Sequence, residues 1–153
     1  MQNANFKTIR LSATPTLTTS ETAAGDVLCA TVALTPALPT YFIGEVVGIT
    51  ILDKDDQGAA LDVVLLKSAV ELGTPNAAVS ISDANAEEIL RVINVPDDGY
   101  TDLIGCQIAD VDLGKPLLAP DQIYLGLIDR TGSKTFTAAG LVITLWLRAD
   151  EPR

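Results

Sequence analysis

The sequence predicts an all-β fold, a jelly-roll-like β-sandwich of about seven to eight strands with one short helix. Three observations lead there. Apolar runs of strand length recur along the chain between clusters of Pro, Gly, Asp and Ser. The last run alternates, with Leu141, Ile143, Leu145 and Leu147 on one face and Val142, Thr144, Trp146 and Arg148 on the other. Only one segment carries a helical period. At 153 residues the chain is long enough to bury one core, and no repeat, low-complexity tract or linker divides it. Residues 1–25 are therefore taken as an extended N-terminal strand and arm, and residues 26–153 as a single β-sandwich domain.

Residues 1–11 predict a lead-in and a first strand whose apolar members are Phe6, Ile9 and Leu11. Residues 12–25, rich in Ser, Thr, Ala and Pro, predict an extended loop or arm. Residues 26–35 predict a strong strand, which Pro36 and Pro39 end. Two further strands, near 41–52 and 60–68, flank the acidic turn Asp53-Lys54-Asp55-Asp56-Gln57-Gly58, the layout of a β-hairpin. Residues 71–80 predict a loop around Gly73-Thr74-Pro75-Asn76. The period then changes. A Ser82/Asp83 cap precedes acidic residues, and Ala86, Ile89, Leu90 and Ile93 share a helical face, predicting a helix of about two to three turns over residues 82–93. Pro96-Asp97-Asp98-Gly99 ends it as a turn, and strands are predicted at 102–109, 122–129 and 141–148.

Charge and composition exclude several functions. Ten Lys and Arg against 20 Asp and Glu leave a net charge of −10, which repels phosphate backbones and argues against nucleic-acid binding. The absence of His removes the usual base near neutral pH, the usual zinc ligand and the Ser-His-Asp and Cys-His systems. Hydrophobic residues at 48% are abundant for a soluble domain, which suggests apolar surface buried between copies. No run approaches the roughly 20 apolar residues of a membrane-spanning helix. The start, Met1-Gln2-Asn3-Ala4-Asn5-Phe6-Lys7, lacks the layout of a secretory signal and favours assembly in the cytoplasm. Cys29 and Cys106 each sit in an apolar segment and predict two buried thiols, the alternative being a bridge within or between subunits.

No chemical constellation outweighs its structural reading. Asp53, Asp55, Gln57 and Gly58 match the first positions of a calcium loop, but position 12 is Val64 where a bidentate Glu is required. A turn fits better, so no metal or other cofactor is expected. Asp110 and Asp112 alternate onto one side of a strand, an arrangement suited to a cation or to acid–base work, yet no partner supports either role and solvated loop residues are expected. The glycines form no phosphate-binding pattern. Tyr41, Phe42, Tyr100, Tyr124 and Trp146 offer a sugar-stacking surface in principle. With aromatics at 5% and unclustered, core or interface packing is expected instead. No catalytic residue is assigned, and the chain is not expected to be an enzyme.

Several segments together resemble the capsid decoration, or cement, proteins of tailed bacteriophages. These are Ala23-Ala24-Gly25-Asp26-Val27-Leu28 after the Ser/Thr-rich arm, the stretch from Gly48 through the acidic turn to Leu65, the stretch from Asn76 to Leu90, and the closing strand from Leu141 to Leu147. The likeness implies a non-enzymatic virion protein with a jelly-roll-like fold. Such a protein is a homo-oligomer, often a trimer, on the outside of the head, where it binds the major capsid protein and stiffens the shell. The implied contacts are Thr14, Pro15, Thr16 and Leu17 of the arm, laid across a neighbouring subunit, with Tyr41, Phe42 and Trp146. A tail or fibre component and a carbohydrate-binding β-sandwich are the competing readings.

Overall fold

The computed structural model describes residues 6–38, 43–118 and 121–150. Nine strands run through them: β1 (Phe6–Ala13), β2 (Val32–Ala33), β3 (Ile43–Asp53), β4 (Leu61–Leu66), β5 (Ile89–Val95), β6 (Tyr100–Asp102), β7 (Gln107–Leu118), β8 (Tyr124–Asp129) and β9 (Leu141–Asp150). Their antiparallel pairs are nested. β1 pairs with β9, β2 with β8, β3 with β7 and β4 with β5, so one long two-stranded ribbon is rolled up on itself. The roll is stitched where β3 also pairs with β9 and β4 with β8. The resulting sheets have the orders β1-β9-β3-β7-β6 and β2-β8-β4-β5, the strand order of a jelly roll.

The alternation foreseen for the last strand drives the packing. Leu141, Ile143, Leu145 and Leu147 are fully buried and face Leu61, Val63, Leu65, Leu125 and Leu127 of the other sheet. In β3 the alternation is interrupted: Val46 and Ile49, three apart, both point inward. A β-bulge at Val47 reconciles them, shifting the register against both neighbours between Val46 and Gly48. Gly48 is required there, because a Cβ would lie 2.9 Å from the Val111 carbonyl oxygen.

Every residue of β4 is buried, because the second sheet is covered on both faces. Val64 and Leu66 turn away from the main core into a second cluster with Val27, Leu72 and Ile128, against which Val70, Val79 and Ile81 also pack. The predicted loop at 71–80 is therefore a cover. It is held by Val27 and Asn76 N–H groups donating to Ala77 and Val27 carbonyls, and by Val79 N–H donating to Gly25. The edge strand β5 is blunted. Its Arg91 lies opposite the inward-facing Leu65, and Nε is buried without a partner, an inward charge of the kind that discourages further strand pairing.

The structure corrects four expectations. Residues 44–66 are not a hairpin: β3 and β4 lie in different sheets, and the acidic turn is the corner between them. The predicted helix reduces to one turn, α1 (Asp83–Ala86), capped by Ser82 Oγ accepting the Asn85 N–H. Ile89, Leu90 and Ile93 belong instead to β5, where the β-branched run Val92, Ile93 and Val95 gains a ladder on β4 that a lone helix cannot supply. The strand predicted at 26–35 survives only as β2 and isolated bridges, since Val27, Leu28 and Cys29 bond to different segments in turn. Finally, the strand predicted at 102–109 is bent back at residues 103–106, joining β6 to β7.

Candidate functional site

Two buried carboxylates organise the corners where the chain changes sheet. Asp53, fully buried at the end of β3, accepts the Asp55 N–H on Oδ1 at 3.0 Å and the Gln57 and Gly58 N–H groups on Oδ2 at 2.8 Å. Asp129, equally buried at the end of β8, accepts the Thr131 and Gly132 N–H groups and the Thr22 hydroxyl. Each carboxylate satisfies amides that the abrupt end of a ladder would leave orphaned. Asp55 in turn accepts the Thr137 N–H and hydroxyl, and Gln57 takes the Lys134 ammonium on its carbonyl. The three residues singled out as a calcium-like triplet are thus brought to one corner with their oxygens directed at protein donors. Among the described residues no group of three His, Cys, Asp or Glu could hold a metal ion.

Tyr100 lies near this corner. Burial, followed by the charges of Asp53 and Asp129, pushes its hydroxyl well above the ordinary tyrosine range. Cys29 is buried, and desolvation drives its thiol up to about 12, against a backbone hydrogen bond involving Leu127 that lowers it; the Glu71 charge adds to the rise. Both cysteines are free thiols, Cys29 buried as foreseen and Cys106 half-buried.

Asp110 and Asp112 sit within β7 rather than in a loop, on the open face of the first sheet. Asp110 accepts the Thr50 hydroxyl at 2.7 Å, and Thr50 Oγ1 accepts the Trp146 indole N–H at 3.1 Å. The Arg10 guanidinium lies 5.8 Å from the centroid of the Trp146 ring. Arg10, Trp146, Thr50 and Asp110 therefore form a row across β1, β9, β3 and β7, flanked by the Arg148–Glu45 ion pair at 2.6 Å. This row crosses an open surface. An open groove elsewhere, of about 560 Å³, is lined by Ala30, Glu71, Gly73, Thr74, Pro75, Ser80 and Asn85, and Glu71 accepts the Thr31 N–H at 3.0 Å.

Of the interface candidates, Thr14 and Thr16 are exposed while Pro15 and Leu17 are buried. Leu17 joins the main core and bridges to Cys29, and its N–H donates to the Ala138 carbonyl at 3.0 Å. The arm is tied to its own body. Trp146 is 36% exposed. Tyr41 and Phe42 lie outside the described residues.

One feature escaped the sequence reading. At the β6–β7 tip, Ile104 is 96% exposed and Leu103 51%. A Gly following a bulky residue between two short strand-like runs was the available signal, masked because Leu103 and Ile104 read as strand members.

No protein-family model matches the chain, and no curated protein matches it. Among solved structures, the chain is similar over its whole length to a chain of tomato aspermy virus, covering 81% of that chain at 14% identity with a TM-score of 0.46. A chain of the infectious bursal disease virus Gx strain is similar over 95% of this chain and 36% of its own, at 14% identity and a TM-score of 0.26.

Proposed function

We propose that the chain is a non-enzymatic structural protein of a virus particle, and specifically a decoration protein of a tailed-phage head. It binds the outer surface of the shell as a homotrimer, contacts the major capsid protein and stabilises the lattice, having been made and assembled in the host cytoplasm. The observation that carries this reading is where the segments resembling decoration proteins fall. Residues 23–28 form a turn in which the Asp26 carboxylate accepts the Ala23 N–H, followed by the buried Val27 and Leu28. Residues 48–65 run through β3, the Asp53 corner and β4, 76–90 form the cover and α1 and enter β5, and 141–147 form the core strand β9. Every one of them belongs to the jelly roll or to a segment packed on it. A second support is chemical: the buried carboxylates hold backbone, and the paired Asp110 and Asp112 stand on an open sheet.

Sugar binding is the less favoured alternative, because Arg10 occupies a position over the Trp146 ring where a pyranose would stack. The decisive experiment is co-sedimentation of the purified protein with empty heads of its phage assembled without it. Saturable binding at a fixed ratio to capsid subunits, with heads that survive higher temperature, is expected. Binding to isolated tails but not to heads would transfer the protein to the tail or fibre class.

A further inference from the structure

We propose that the β6–β7 hairpin tip, Leu103 and Ile104, is the element that seats this protein in an apolar socket with a basic rim on the capsid protein; the inference rests on the decoration reading above. The turn has two central residues, Ile104 at φ 61° and Gly105 at φ 99°, closed by Leu103 N–H donating to the Cys106 carbonyl at 2.9 Å. Two positive φ values identify the primed hairpin turn in which Asn or Asp precedes Gly. Ile is among the residues least suited to the first of these positions, because its branched Cβ crowds the backbone in the left-handed region. It gains no burial in return: 96% of Ile104 faces solvent. Neither turn stability nor the core accounts for an isoleucine here. A contact made outside this chain does.

Charge identifies the partner. Between Arg91 and Lys115 the chain carries Asp97, Asp98, Asp102, Asp110 and Asp112 and no Lys or Arg. All five aspartates are exposed. Asp102 stands beside the tip, its carboxylate accepting the Ile104 N–H at 2.8 Å. Asp97 and Asp98 form the turn that leads into β6, and Asp110 and Asp112 lie further along β7, so the apolar tip projects from an acidic edge of the sheet. A second copy, itself at net charge −10, would meet this tip with like charge, whereas a basic-rimmed socket on a different protein is complementary to it.

The test compares wild type, Ile104→Asn and Ile104→Leu by co-sedimentation with empty heads assembled without this protein, at low and high salt. Asn suits the turn, so its thermal midpoint should equal or exceed that of wild type, and Ile104→Gly serves as a second variant should Asn fail to fold. The expected result is binding weakened about tenfold or more by Asn, largely kept by Leu, and weakened for wild type by salt. A folded Ile104→Asn protein that binds as tightly as wild type would overturn the role of the tip while leaving the decoration reading intact. Failure of wild type to bind heads would remove both. A smaller solution mass for Ile104→Asn would put the socket on a second copy and overturn the assignment to the capsid protein.

Discussion

At the scale of single residues, the molecule is held by carboxylates that act as backbone clips. Replacing Asp53 with Ala strands three amides in a buried corner, which should lower unfolding free energy by about 1–3 kcal/mol; Asn, keeping one acceptor oxygen, should cost less. Urea denaturation of the two variants checks the order, and equal losses would mean that the second oxygen contributes nothing. The titration of Cys29 makes a separate prediction. Its folded-state value of about 12 lies above the ordinary 9.0, so the folded protein keeps a proton that the unfolded chain releases. The corresponding stability is complete below about pH 9 and is lost as pH climbs from there towards 12. Tyr100, shifted in the same direction, adds to that loss. Urea midpoints measured at pH 8 and about pH 10.5 should therefore fall with pH, and Cys29→Ala should flatten the decline. An unchanged decline would exclude Cys29 as a contributor.

At the scale of elements, what could be read in the sequence depended on whether one face or two were buried. β9 was legible because one face meets the core and the other the solvent-facing row, so its residues alternate as a half-buried strand should. The acidic corner was legible as a turn, but not as a change of sheet, because Asp53 caps amides in the same way whether the next strand returns alongside or crosses over. β5 was misread because Ile89, Leu90 and Ile93 suit a helical face as well as a strand, and only pairing to β4 decides between them. The cover over the second sheet gave no signal, since its larger apolar residues, Val70 and Leu72, then Val79 and Ile81, form two short pairs separated by the turn-like Gly73-Thr74-Pro75-Asn76. Leu72 is 2% exposed and packs on Gly126, where a Cβ would lie 2.4 Å from Leu72 Cδ1. Leu72→Ala should then cost about 2–5 kcal/mol, and hydrogen exchange should show amides of the cover and of β8 losing protection before those of β9. Uniform loss would mean that the cover and the main core open together.

At the scale of the whole molecule, nested pairing joins the first described strand to the last, so the central contacts are among the most distant in sequence. The loop entropy of closing β1 onto β9 must be overcome before their contacts form, which makes folding slow for a chain of this size, on the order of milliseconds to seconds. The same topology leaves the first sheet little stability of its own: without β1, β9 loses one neighbour and the main core loses Leu11, and without β9, β3 loses one neighbour and the core loses the row from Leu141 to Leu147. Unfolding should therefore be a single cooperative event. The protein carries its own reporter, because its one tryptophan, Trp146, lies on β9 beside Arg10 of β1 and senses that pairing directly. Fluorescence of Trp146 and far-ultraviolet circular dichroism should give coincident urea transitions, whether or not a calcium chelator is present, since Asp53, Asp55 and Gln57 bond to protein groups. A fluorescence transition at lower urea would show β1 peeling away from β9 before the roll opens. The N-terminal segment would then be free to exchange onto a neighbouring subunit, as the resemblance to decoration proteins implies for the arm that follows β1.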